Sequence, residues 1–262
     1  MNDAASASNP APSAASRFNF NRPIPCRTIS EQKCMSTATS QTEMIPLPAV
    51  RPATQWATAI EVLLVYAGIL LYIWRWQFTY PRAWMALLAV VLASHVAHRD
   101  RLAELGLTFH GLRASARFAL PLALAFFLPA VIYGFASGVL RVIQPGGRTL
   151  VSFLGYGAWC VFQQYLMQSY FHRRLMALTS NRHLSSALVA LMFGAAHIPN
   201  PILTVATTLG GFVLAEVFAR HRNIFPLALA QTAGGFLIAA LSPAALIHNM
   251  RVGPGYFFFG LR

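Results

Sequence analysis

The side chains in this chain that could do chemistry are few, and most of them are amides. Gln163, Gln164, Gln168 and Gln231 lie inside long apolar stretches together with Cys160, while His197 and Asn200 close another such stretch. Polar groups are costly within apolar spans and usually face a bundle interior, so a function is sought among these residues first. Gln offers two N–H donors and a carbonyl acceptor and does not titrate near neutral pH. Such a set can hold a peptide carbonyl, a lipid head group or a water, but it cannot take a proton from one. His197 is the member able to act as a base. Cys160, one turn before Gln164, offers a thiol that His197 could activate. One His among amides is a poor ligand set, so no metal or other cofactor is expected.

Spacing gives a first geometry. At 100° per residue Cys160, Gln164 and Gln168 form an i, i+4, i+8 stripe with Gln163 on its flank, which predicts one polar face on that helix. A plainer alternative stays open, in which the amides only bind helix to helix. Carboxylates are scarcer: Asp3, Glu31, Glu43, Glu61, Asp100, Glu104 and Glu216 are the seven, and only Glu61 and Glu216 belong to apolar spans. Glu216 has Arg220 four residues on, the arrangement of an ordinary helical ion pair. Glu61, near the start of the first span, reads as interfacial.

The elements that must position these residues follow from composition. Of 262 residues, 56% are hydrophobic and 10% charged, against about 25% charged in soluble domains. This predicts an all-α polytopic membrane protein of about seven to eight transmembrane helices, with spans at 57–74, 83–97, 118–140, 150–171, 184–198, 203–219 and 224–241 and a short eighth element in 244–261. Residues 1–55, rich in Ala, Ser, Thr, Pro and Gln, read as a disordered polar tail before a transmembrane domain at 56–262, and Met35 and Met44 offer alternative starts. Residues 101–118 read as an interfacial segment. The net charge of +13 comes from 20 basic residues of which 19 are Arg, most of them in the hinges, which is membrane topology rather than a nucleic-acid footprint. The Arg-rich hinges alternate, placing them and the N-terminus in the cytoplasm, in a bacterial inner membrane. Cys26, Cys34 and Cys160 show no metal spacing or disulfide framework.

The run Gln163-Gln164-Tyr165-Leu166-Met167-Gln168 through Arg173-Arg174-Leu175 resembles the first motif, EExxxR and often RRL, of the CAAX protease and bacteriocin-processing family. Phe193-Gly194-Ala195-Ala196-His197 with Pro199-Asn200 resembles its second motif, FxxxH. Gly210-Gly211-Phe212, the turn at Asn223 and the stretch to Gln231 resemble its Gly-rich span and third motif. Leu105-Gly106-Leu107 extends the likeness over about residues 100–241. The resemblance implies a helical intramembrane protease in which the first Glu activates water and His and Asn residues position it and stabilise the oxyanion. Carried over by position, the water-activating Glu is Gln163, its neighbour Gln164 and the Arg Gln168. The second-motif His is His197, the third-motif His is Gln231, and the Asn four residues later is Gly235.

Gln163 cannot serve as that base, and a positioned base is worth about 10²- to 10⁴-fold. The loss of Arg along with both carboxylates leaves no stranded charge, so the site reads as neutralised. Three expectations follow. One is a diverged, non-glutamate site that binds a membrane lipid or a lipidated or membrane-embedded peptide. A second is an active endopeptidase with His197 as base, and a third is a structural or immunity-type protein. Under the first, spans four, five and seven bring Gln163, Gln164, Gln168, His197 and Gln231 to one cavity.

Overall fold

The computed structural model describes residues 52–140 and 146–258. The expected polar tail and the end of the chain lie outside them. Among the described residues the secondary structure is all helical. Helix α1, Pro52–Leu71, runs on through a π-helical turn, Tyr72–Trp76, and a last turn, Gln77–Thr79. Helices α2, Ala83–Ala97, and α3, Leu112–Ala136, follow. Helix α4, Gly147–Gln164, continues through a π-helical section, Tyr165–His172, into α-helical Arg173–Thr179. Helices α5, Arg182–Ala195, α6, Pro201–His221, and α7, Phe225–Leu241, complete the bundle.

Each expected span therefore has its helix, because long apolar runs are read directly from sequence. Three stretches, Gln55–Thr79, Leu112–Ala136 and Pro201–His221, are long and apolar enough to cross a membrane, and Ala83–Ala97 and Phe225–Leu241 are shorter apolar helices. In those three, only 17%, 11% and 28% of the most apolar window is buried, so their apolar faces are left for a medium other than protein. This is a membrane-type helical protein. The eighth element is not a span. Residues 244–258 make only single turns, Ala244–Ile247, His248–Met250 and Pro254–Phe257.

Helix α5 packs along α6, α3 and α4 pack on α7, and α1 packs on α2 and on the last turns of α4. The α5–α6 contact is set by Gly194. A Cβ there would stand 1.9 Å from Thr208 Oγ1 and 3.1 Å from the Thr204 carbonyl. Gly194→Ala should therefore destabilise the bundle by about 1–3 kcal/mol, read as a lower melting temperature in detergent, and Thr208→Ala in the same chain should recover part of the loss.

Within the segment expected at the interface, residues 101–111 form no helix. They form a loop stitched to the bundle through its main chain: Ser169 Oγ donates to the Leu105 carbonyl at 2.6 Å, and Ile224 N–H donates to the Gly106 carbonyl at 3.2 Å. Asn223 Nδ2 donates to the carbonyls of Thr108 and His110. Gly106 and Gly111 adopt φ of +71° and +72°, and a Cβ at Gly111 would lie 2.3 Å from the His221 carbonyl. Only glycine meets both demands at no steric cost.

Candidate functional site

The amides are positioned by a change of helix type. Helix α4 is α-helical to Gln164 and π-helical from Tyr165, and the wider π turn, frequent at functional sites, re-aims every side chain after it. The stripe expected of Cys160, Gln164 and Gln168 is therefore broken. Gln163 and Gln164 face α7, where Gln164 Nε2 donates to Gln231 Oε1 at 2.6 Å and Gln231 Nε2 donates to Gln163 Oε1 at 2.6 Å. Gln168 is 1% exposed and accepts from His172 Nδ1–H at 3.0 Å, while the other ring nitrogen of His172 meets the hydroxyls of Ser186 at 3.3 Å and Ser185 at 3.5 Å.

The row Gln164 to Gln231 to Gln163 has a direction. Its acceptor end, Gln164 Oε1, is buried without a partner. Reversing all three amides would orphan an N–H₂ group there instead, and a buried under-satisfied carbonyl is the more tolerable defect. The donor end is the amide of Gln163.

Gln163 and Gln231 form part of the wall of a cavity of about 1360 Å³, which also takes in His197, Thr207 and Tyr156. His197 Nδ1–H donates to the Phe193 carbonyl at 2.7 Å, with Thr207 Oγ1 at 3.4 Å, so Nε2 is the nitrogen left to accept from a ligand or a water. Of the expected set, Gln163, Gln231 and His197 share the cavity; Gln164 lies behind them in the row, and Gln168 is in a separate buried polar group. Asn200 is fully buried and structural in its contacts. It caps α6 by accepting from Leu203 N–H at 3.2 Å and ties down the C-terminal segment by donating to the carbonyls of Ile247 and Arg251 at 2.8 and 3.3 Å. Cys160 is 0% exposed and lies against Tyr156 and Thr232, not His197. A nucleophile on that thiol has neither access nor base. No cluster of three or more potential metal ligands occurs among the described residues.

Sequence reasoning missed Tyr156. It stands seven residues before Gln163, two turns up the same face of α4. Gly235, the position matched to the family's Asn, has no Cβ, and one placed there would be 2.1 Å from the Tyr156 hydroxyl and 2.6 Å from its ring. The phenol occupies the space a side chain at 235 would need.

The second feature missed is a buried ion cluster where α1, α2 and the end of α4 meet. Arg174 and Asp100, 4% and 2% exposed at their side chains, pair at 2.8 Å. Asp100 also takes Arg173 at 2.9 Å and His95 Nδ1 at 2.7 Å, and Arg173 reaches Glu104 at 2.5 Å. Burial pushes the Asp100 carboxyl up, but hydrogen bonds from His95 and Arg174 and the charges of both arginines outweigh it and hold it well below the usual carboxylate range. Glu61 belongs to this cluster: it accepts from Ser94 Oγ at 2.5 Å and Tyr170 Oη at 2.8 Å and lies 3.0 Å from His98. Glu216 meets Arg220 at 3.9 Å as expected, but more closely Arg182 at 3.3 Å.

No curated protein and no solved structure matches the chain. Residues 145–237, which supply α4, α5, α6 and most of α7 and so the amide row, Gln168 and His197, match the family model described as type II CAAX prenyl endopeptidase Rce1-like. The likeness read from the motifs thus has its counterpart over residues 145–237, about a third of the chain, where this helical membrane-type protein is similar to the CAAX protease family.

Proposed function

We propose that this protein binds an apolar ligand, a membrane lipid or a membrane-embedded peptide, in a cavity whose family-equivalent catalytic positions no longer support glutamate chemistry. One observation carries the reading: the cavity wall holds no carboxylate among the described residues, and the position matched to the water-activating Glu is Gln163, the donor end of a neutral amide row. An amide there can bind a carbonyl but cannot deprotonate water. In this reading all seven helices span the membrane, a bacterial inner membrane, with the N-terminus in the cytoplasm.

A second reading, endopeptidase action with His197 as base, is favoured by one feature only, the fixed tautomer that leaves Nε2 toward the cavity wall. The two separate by mass spectrometry of prenylated and membrane-embedded peptides incubated with purified protein in liposomes. The native chain and His197→Ala should leave the same uncleaved peptides. Cleavage by the native chain that survives Cys160→Ala and vanishes in His197→Ala would make His197 the base and end the binding-only reading.

A further inference from the structure

The direction of the amide row fixes what it can recognise. Each hydrogen bond in Gln164 to Gln231 to Gln163 polarises the next, so the N–H₂ group at the free end is a strengthened donor. That group belongs to a residue of the cavity wall and has no protein partner among the described residues. Tyr156, on the same face of α4, adds a hydroxyl to the wall. Its neighbour Cys160 is a weak acceptor, so the phenol O–H remains able to donate to a stronger one. Where Gln163 and Tyr156 stand, the wall therefore presents two donors and suits an oxygen acceptor, while His197 and Arg251 belong to other parts of it.

An apolar part of the wall narrows the class further. It is made by Leu122, Phe126, Phe127, Trp159 and Leu237, and along it only the indole of Trp159 could serve a main chain. A peptide would bring one N–H and one C=O per residue, and each group left unpaired away from water is costly. An acyl chain brings a single carbonyl at one end and hydrocarbon beyond it. The volume, about 1360 Å³, exceeds the roughly 300–1,000 Å³ of pockets for small molecules.

Resting on the reading of this cavity as a binding pocket, we propose that its occupant is an ester-linked membrane lipid, with an acyl carbonyl accepting from Gln163 Nε2 and the Tyr156 hydroxyl and its chain along the aromatic wall. The test uses delipidated full-length protein in detergent, titrated with dioleoyl phosphatidylethanolamine and with its ether-linked counterpart, which has the same chains and head group but no carbonyls. Retention is read by native mass spectrometry, with a melting curve for each variant to confirm folding. The native chain should retain the ester roughly fivefold better than the ether, the worth of one neutral hydrogen bond. The preference should fall to about one in Gln163→Met, which keeps the length and removes the donor, and fall partway in Tyr156→Phe. Equal retention of ester and ether by the native chain would overturn the carbonyl assignment and leave the pocket standing. Retention of neither lipid but capture of an apolar 20-residue peptide would overturn the lipid assignment. Retention of nothing by the native chain would overturn the pocket itself.

Discussion

Arg174→Ala should be the most destabilising single substitution in the bundle, costing about 3–5 kcal/mol, because it leaves Asp100 buried with its closest cation gone. Arg173 remains beside Asp100 at 2.9 Å but is shared with Glu104, and Ser94 loses the guanidinium that donates to its hydroxyl at 3.0 Å. Replacing both members at once, Asp100→Leu with Arg174→Met, should cost much less, since no charge is then stranded. Thermal unfolding in detergent measures both. The pH dependence has a definite sign. The Asp100 carboxyl is held below its ordinary range in the fold, so its contribution is complete at neutral pH and is lost as the pH falls below that range. Asp100→Leu with Arg174→Met should flatten this acid limb. A native-like melting temperature for Arg174→Ala at pH 7 would show that the cluster does not hold α2 to α4.

Rebuilding the family's acidic site should fail at Gln163→Glu alone and fail again when Gln164→Glu, Gln168→Arg, Gln231→His and Gly235→Asn are added. A lone carboxylate at 163 has no cation beside it, because Gln168 is turned by the π section toward His172 and away from the cavity. An Arg at 168 would be buried among His172, Ser185 and Ser186, turned away from the carboxylates introduced at 163 and 164, which face α7, at a cost of several kcal/mol. A side chain at 235 collides with Tyr156. The expected result is therefore an unstable, inactive quintuple variant. Keeping Gln168 and adding Tyr156→Ala to Gln163→Glu, Gln231→His and Gly235→Asn should restore folding, and with base and donors present together any cleavage should exceed that of Gln163→Glu alone by about 10²-fold or more. The assay is cleavage of a prenylated peptide in liposomes. Vigorous turnover by Gln163→Glu alone would show that the amide row is no obstacle and that the pocket already holds the rest of a working site.

The helices were legible because each is an apolar run long enough to be seen without context, and Ala83–Ala97 coincides with its expected span. The triad of Gln163, Gln231 and His197 was legible because motif order reports which helices meet. What was hidden depended on partners remote in sequence. The face of Gln168 could not be read because nothing in Tyr165–His172 announces a π turn. Arg173 and Arg174 looked like hinge charges because Asp100, some 73 positions earlier, is invisible as their partner. The stitching of the loop at 101–111 to the bundle was hidden because the amide that holds it, Asn223, lies more than 110 positions away. Tyr156 was missed for the reason that Gly235 was noticed only as a lost Asn: a void in the sequence does not say what fills it.

Helix α4, with its π section and last turns, is continuous from Gly147 to Thr179, and at about 1.5 Å per residue it is roughly 50 Å long. A bilayer offers about 30 Å of hydrocarbon. In the proposed seven-span arrangement this helix must lean or protrude, and the ten positions from Gln164 to Arg174 set the amide row and the ion cluster at different depths, about 15 Å apart. That arrangement puts the neutral row among the acyl chains and the charges near the head groups. Bilayer thickness thus becomes a control on the fold: a thicker membrane would draw Arg173 and Arg174 toward hydrocarbon, and a thinner one would lift the cavity toward water.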